Sequence, residues 1–139
     1  MRQKARVALV VEDNPPEREM IAGWLRLIGF QVETANDYRA AVAALSSLRP
    51  DVICCDISLP RESGFDLVEY VRATVGLDWI PILVISERSS PEDMAHAEEL
   101  GANAYIKKPL TRERLEKYVT ALLDGPHSSR PSVRRLRRD

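Results

Sequence analysis

The chain has 139 residues, of which 45% are hydrophobic and 29% are charged, a balance typical of one globular domain. No apolar run approaches the roughly 20 residues of a membrane-spanning helix, and the basic start does not resemble a signal peptide, so we expect a cytoplasmic protein. The net charge of −1 divides into −5 over residues 1–124 and +4 over residues 125–139. We therefore expect a folded domain over 1–124 and a basic flexible tail or linker over 125–139.

Short apolar runs alternate with segments of helical periodicity along the chain. The first run, 5–11, is followed by Asn14, two prolines and Glu17, which supply a cap, first-turn prolines and a first-turn acid and so predict a helix start. The second run is 30–35, after which Asp37 is expected to begin a second helix. The third run, 51–56, is apolar between its terminal acids, as expected for a central parallel strand that is covered on both faces.

The second half of the chain continues this alternation. A third helix is predicted from an apolar stripe of Leu67, Val68, Val71 and Val75. The fourth run, 81–86, precedes a helix with Ser90 as its cap and Gly101 as its stop, and a short run at 103–106 precedes the last helix. Five strands that alternate with five helices predict an α/β fold with a doubly wound parallel sheet.

The cysteines and histidines do not suggest a site for a soft metal. Cys54 and Cys55 are adjacent, so in a strand they point to opposite faces and are expected to be buried apolar residues. His96 and His127 have no partner at a metal-binding spacing.

Polar residues are expected at the carboxyl ends of the strands, where ligands bind in an open parallel sheet. These positions hold Glu12, Asp13, Asp56, Ser86 and Lys108. Three carboxylates that lie close together repel one another, and a hard cation such as Mg2+ relieves that repulsion. One carboxylate could then attack phosphorus and form an aspartyl phosphate, with the hydroxyl and the ammonium binding the phosphoryl oxygens.

Four segments in this order, "VVEDN", "DISLPRESG", "VISE" and "YIKKPL", resemble the receiver domain of bacterial two-component response regulators, of the stand-alone chemotaxis-regulator type. The resemblance covers about residues 4–124. It implies a flavodoxin-like (βα)5 fold with strand order 2-1-3-4-5.

The resemblance also implies roles for individual residues. Asp56 would be the phosphoacceptor, and Mg2+ would be bound by Glu12, Asp13, Asp56 and the backbone carbonyl of Ser58. Lys108 would bind the phosphoryl group, and the bond from Lys108 to the following proline resembles one that is cis in the family.

Two further positions would act as the switch. Ser86 and Tyr105 match the hydroxyl and aromatic residues that respond to phosphorylation in the family. Glu87 departs from the family pattern, which has a small residue there. We expect its carboxylate, next to a phosphoryl dianion, to alter the rate of phosphorylation, the phosphoryl lifetime or the choice of partner.

The function implied is that of a switch protein and not of an enzyme, apart from slow self-dephosphorylation. The donor would be a sensor histidine kinase or a histidine phosphotransfer protein. A downstream protein would bind the surface formed by the fourth helix, the fifth strand and the fifth helix, and phosphorylation could produce a homodimer. No DNA-binding domain is recognisable in these 139 residues.

Other interpretations remain open from the sequence. The chain could be the receiver of a longer regulator, or a binding module that works without phosphorylation. Two enzyme classes are disfavoured. Haloacid-dehalogenase phosphatases have a second aspartate at the position that Ser58 takes here. Toprim nucleases need an Asp-x-Asp pair, which is missing. The glycine motifs of NTPases and dinucleotide-binding enzymes are absent.

Overall fold

Five parallel strands alternate with five helices in residues 5–125, the part of the chain that the computed structural model describes. The elements are β1 (Val7–Val11), α1 (Pro15–Leu27), β2 (Gln31–Ala35), α2 (Tyr38–Leu45), β3 (Val52–Cys55), α3 (Gly64–Ala73), β4 (Ile82–Ser86), α4 (Pro91–Leu100), β5 (Ala104–Lys107) and α5 (Arg112–Asp124). The strand order is β2-β1-β3-β4-β5, with parallel pairing throughout. The predicted doubly wound sheet and its order are confirmed. Residues 126–139, which include His127 and nearly all of the predicted tail, lie outside the described residues.

The central strand β3 is buried on both faces. Ile53 and Cys55 pack with α2 and α3, whereas Val52 and Cys54 pack with α1 and α5 on the other side of the sheet. Both cysteines are free and buried, and burial raises the pKa of the Cys54 thiol to about 12. The continuously apolar run in the sequence is thus explained by two separate cores that meet at this strand.

The helix starts lie where the capping residues predicted them. The side chains of Asn14, Asp37 and Ser90 each accept a hydrogen bond from the backbone N–H three residues later, at 2.7 to 3.0 Å. Helix α4 ends at Gly101, whose φ of 113° is left-handed, as a glycine stop permits. None of the helices between residues 5 and 125 is long and apolar enough to cross a membrane.

The predicted apolar stripe of α3 was wrong at its last member. The helix ends at Ala73, because Thr74 turns to an extended conformation with ψ of 122°. Val75 is consequently 95% exposed, and Leu77 is the residue from this loop that enters the core, at 2% exposure. A helical spacing continued past the true helix end assigns a loop residue to the buried face.

The strand register brings the predicted site residues to one edge of the sheet. Val11 pairs with Cys55, so that Glu12 and Asp56 leave the sheet side by side. On the neighbouring strands Ser86 pairs with the last residue of β5, and the backbone N–H of Lys108 donates to the carbonyl of Ser86 at 3.0 Å. Four strand ends therefore meet around a single small volume.

Candidate functional site

Lys108 reaches from the end of β5 to the ends of β1 and β3. Its Nζ donates to Asp56 Oδ2 at 2.8 Å and to Glu12 Oε1 at 3.0 Å, and it also donates to Glu17 Oε1. Glu12 and Asp56 are only 2% and 6% exposed, so water screens their charges little. The ammonium is the compensating charge that makes this burial tolerable. The structure thus brings three of the predicted site residues together.

The second oxygen of Asp56 is also held. Asp56 Oδ1 accepts a hydrogen bond from the backbone N–H of Ser58 at 2.9 Å. Gly64 packs directly beneath this loop, because a Cβ atom at that position would lie 2.2 Å from the Asp56 carbonyl oxygen. The Lys108–Pro109 peptide bond is cis, as the resemblance implied.

The electrostatics of Glu12 and Lys108 follow from burial and from their contact. Burial is the largest influence on Glu12 and raises its pKa to about 7, although Lys108 and the backbone N–H of Asn14 donate to its carboxylate. Burial opposes the charge of Lys108 too, but hydrogen bonds to Asp56, Glu17 and Glu12 together raise its pKa. Lys108 is therefore charged at neutral pH, and burial makes Glu12 a weaker acid than an exposed glutamate.

Ser86 and Tyr105 lie in one hydrogen-bond network beside this cluster. Ser86 is fully buried, and its Oγ accepts from the backbone N–H of Arg88 at 3.1 Å. The half-buried Tyr105 donates its hydroxyl to the Arg88 carbonyl, and burial is the main cause that raises its pKa. Arg88 itself pairs with Asp93 at 2.7 Å and lies 5.5 Å from the ring centre of Phe65. The two predicted switch residues are thus linked through one loop residue, and their switching role stays a prediction.

Asp13 is not one of the three acids that converge at Lys108 in the described residues. In the described part of the chain, the acids whose oxygen atoms lie within 4.8 Å of one another here are Glu12, Glu17 and Asp56, whereas Asp13, next to Glu12 in the chain, is exposed. The donors are all carboxylate oxygens, which suit a hard cation such as Mg2+. The metal-binding roles of Asp13 and Ser58 stay predictions.

Glu17 is the site residue that sequence reasoning missed. The sequence predicted Glu17 only as an acid in the first turn of α1, where the helix dipole stabilises a negative charge. Its carboxylate instead contacts Lys108, 91 residues away in the chain. A usable signal existed, because a helix that follows β1 begins at the same sheet edge as the acids, so an acid in its first turn lies within reach of the site.

A cavity of about 340 Å³ opens next to Lys108 between α1 and the β5–α5 loop. Its walls combine apolar residues with two carboxylates, and the lining residues are Glu17, Met20, Ile21, Ile85, Glu87, Lys108, Pro109 and Leu110. Glu87, which was expected to modulate the site, is exposed at this opening.

Comparison with known proteins identifies the family. The family model described as the response regulator receiver domain matches residues 8–120, which is most of the chain. The chain belongs to the response regulator receiver domains. The receiver domain is 36% identical over 119 residues to the phosphate regulon transcriptional regulatory protein PhoB of Escherichia coli, covering 86% of this chain and 52% of PhoB. It is 35% identical over 116 residues to the probable transcriptional regulatory protein TcrX of Mycobacterium tuberculosis, covering 83% and 48% of the two chains. It therefore spans about half the length of the curated relatives that it matches.

Solved structures agree with the fold. The chemotaxis response regulator CheY4 of Vibrio cholerae superposes with a TM-score of 0.82 at 33% identity, covering 86% of this receiver domain and all of CheY4. The receiver domain of the sensor histidine kinase PA1611 from Pseudomonas aeruginosa superposes with a TM-score of 0.77 at 28% identity, covering 84% and 96% of the two chains. That structure is described as having a magnesium ion coordinated in the active site cleft.

Proposed function

We propose that Asp56 accepts a phosphoryl group from the phosphohistidine of a sensor histidine kinase or a histidine phosphotransfer protein. The observation that supports this most is the buried Asp56 carboxylate, which is 6% exposed and is held between Lys108 Nζ at 2.8 Å and the Ser58 N–H at 2.9 Å. An Asp56 oxygen attacks phosphorus, a P–O bond forms as the P–N bond breaks, and the imidazole leaves with the electron pair of that bond.

The neighbouring side chains suit this transfer. Lys108 can move with the transferred group and neutralise its oxygens, and the Ser86 hydroxyl, on the adjacent strand end, can donate to one of them. The residues proposed to hold Mg2+ are Glu12, Asp13, Asp56 and the Ser58 carbonyl, and their oxygens suit this ion. When bound, Mg2+ supplies positive charge that offsets the developing charge on the phosphoryl oxygens. The magnesium in the PA1611 receiver domain supports this assignment.

The proposed output is a change of protein-binding surface. Movement of Ser86 toward the phosphoryl group would break its contact with the Arg88 N–H, and Tyr105 would respond because its hydroxyl binds the Arg88 carbonyl. The surface of α4, β5 and α5 would then bind a downstream protein or a second copy of this chain. The protein would act as a switch and not as an enzyme, apart from slow self-dephosphorylation.

The wider setting is also proposed. PhoB is a transcriptional regulatory protein about twice as long as the matched region, so an effector domain joined to this receiver domain is one proposed arrangement. The cytoplasm is the proposed location, which suits a composition with 29% charged residues.

Intact-mass measurement after incubation with Mg2+ and acetyl phosphate tests the phosphoacceptor. We expect the wild type to gain one labile phosphoryl group and Asp56→Asn to gain none. Asp78→Asn is the matched control, because Asp78 is exposed in the loop before β4, and it should be labelled like the wild type. Labelling of Asp56→Asn would contradict the assignment of the acceptor. A wild type that binds Mg2+ but gains no phosphoryl group from acetyl phosphate or a phosphohistidine donor would favour a binding module that works without phosphorylation.

A further inference from the structure

Glu17 occupies a position that normally serves its own helix. It is the third residue of α1, and its backbone N–H donates to the cap residue Asn14 at 3.0 Å. In α3 the equivalent acid, Asp66, completes a capping box, because its carboxylate accepts from the backbone N–H of the cap residue Ser63 at 2.8 Å. In α1 the N–H of Asn14 donates instead to Glu12 Oε2 at 3.1 Å. The carboxylate of Glu17 is thereby released from capping and binds Lys108.

Lys108 has no spare donor in this arrangement. An ammonium group has three N–H donors, and three carboxylates accept from Lys108: those of Glu12, Glu17 and Asp56. A phosphoryl group on Asp56 would bring additional oxygens within reach of the same ammonium. One carboxylate must then give up its hydrogen bond.

Glu17 is the carboxylate that can leave most easily. The side chains of Glu12 and Asp56 are 3% and 6% exposed, and each accepts a second hydrogen bond from a backbone N–H. The Glu17 side chain is 35% exposed, and within residues 5–125 its carboxylate bonds only to Lys108. Water can therefore replace the Lys108 contact of Glu17 but not those of the two buried acids.

We propose that Glu17 is a positioning residue that holds Lys108 before phosphorylation and competes with the phosphoryl group for Lys108 afterwards. The inference rests on the proposed function of Asp56. Glu17 keeps the ammonium aimed at Asp56 in the resting protein, and it adds a negative charge next to the entering phosphoryl oxygens. The first effect stabilises the unphosphorylated site, and the second repels the phosphoryl oxygens. Both therefore lower the affinity of the site for a phosphoryl group.

Equilibrium binding of beryllofluoride, an anionic mimic of the phosphoryl group, tests this competition without a chemical step. Titrations at saturating Mg2+ are followed by 19F NMR, and Mg2+ affinity is measured separately for each variant. Glu17→Gln keeps the size of the side chain but removes its charge, and we expect it to bind beryllofluoride about five-fold more tightly, as loss of a partly exposed ion pair predicts. A purely structural role for Glu17 would weaken binding, so a gain is the diagnostic outcome.

Two further variants make the comparison specific. Glu19→Gln removes the same charge from an exposed position of α1, at 64% exposure, and should bind beryllofluoride like the wild type. Glu17→Asp keeps the charge with a shorter reach and should give an affinity between those of the wild type and Glu17→Gln. Equal affinities of the wild type and Glu17→Gln would overturn the competition alone. Failure of the wild type to bind beryllofluoride would overturn the competition together with the proposed function.

Discussion

At the scale of single residues, Glu12 shows what a buried acid costs the folded protein. Burial raises its pKa from 4.5 to about 7, so between these values the folded state binds more protons than the unfolded state. The contribution of Glu12 to stability therefore falls as the pH rises through this window. We expect this pH dependence to be lost in Glu12→Gln. Urea unfolding of both proteins in EDTA, from about pH 4.5 to 7.5, measures the difference.

The control for this prediction is a variant with one charge fewer at an exposed site. Glu33→Gln on β2 serves this purpose, because Glu33 is exposed. Its unfolding free energy should follow the same pH dependence as that of the wild type. Parallel curves for Glu12→Gln and the wild type would show that the proton of Glu12 is not linked to folding.

Sequence reasoning located Glu12, Asp56 and Lys108 well because each directly follows a strand, and parallel strands bring their carboxyl ends to one edge. It could not decide which acids touch the ammonium. Glu17 was predicted only as an acid in the first turn of α1, and the structure shows that the Asn14 N–H donates to Glu12 while the Glu17 carboxylate binds Lys108. Hydrogen-bond choices of this kind depend on angstrom-scale packing, which residue patterns do not encode.

At the scale of elements, the start of α3 is fixed by close contact with the phosphoacceptor loop. A Cβ atom at Gly64 would lie 2.2 Å from the Asp56 carbonyl oxygen and 2.7 Å from Ile57 Cα, so the backbone would have to move. We expect Gly64→Ala to lower the free energy of unfolding by roughly 2 kcal/mol or more and to slow phosphorylation of Asp56. Gly23→Ala is the matched control, since nothing lies within 4 Å of its Cβ in α1. It should raise stability by about 0.5 to 1 kcal/mol.

Chemical denaturation of the two variants measures their stability, and mass spectrometry measures phosphorylation of Asp56. Equal losses of stability in Gly64→Ala and Gly23→Ala would refute the packing argument.

Helix starts were more predictable than helix ends. Asn14, Asp37 and Ser90 cap their helices as their side-chain chemistry indicated, because one local hydrogen bond decides each start. The end of α3 depends instead on the loop that leads to β4. Leu77 is buried in place of Val75, and the apolar periodicity alone did not distinguish the two.

At the scale of the whole molecule, the carboxyl ends and the amino ends of the strands hold different polar networks. The carboxyl edge holds the acids and Lys108, where charge is concentrated and needs partners. At the amino edge the guanidinium of Arg72, from α3, joins several elements. It donates to the carbonyls of Gly101 at 2.9 Å and Ile80 at 2.8 Å and to Asn103 Oδ1 at 2.7 Å. The same Asn103 oxygen accepts from the N–H of Ile82 at 2.8 Å, so one network connects α3, α4, β4 and β5.

Because the Arg72 network lies far from the acids, we expect a substitution there to change stability without changing phosphorylation of Asp56. A lysine in place of Arg72 keeps the charge but lacks the planar guanidinium group with its several N–H donors. It therefore cannot donate to all of these acceptors at once, and partly buried carbonyls lose their donor. We expect Arg72→Lys to lower the free energy of unfolding by about 2 kcal/mol. Arg39→Lys, at an exposed position of α2, should change it little. At temperatures where both variants remain folded, acetyl phosphate should label Asp56 at the wild-type rate, because the network lies at the edge of the sheet opposite the acids. Slower labelling of folded Arg72→Lys would instead mean that the amino edge is coupled to the site, through β4 or β5, and that the two edges do not act separately.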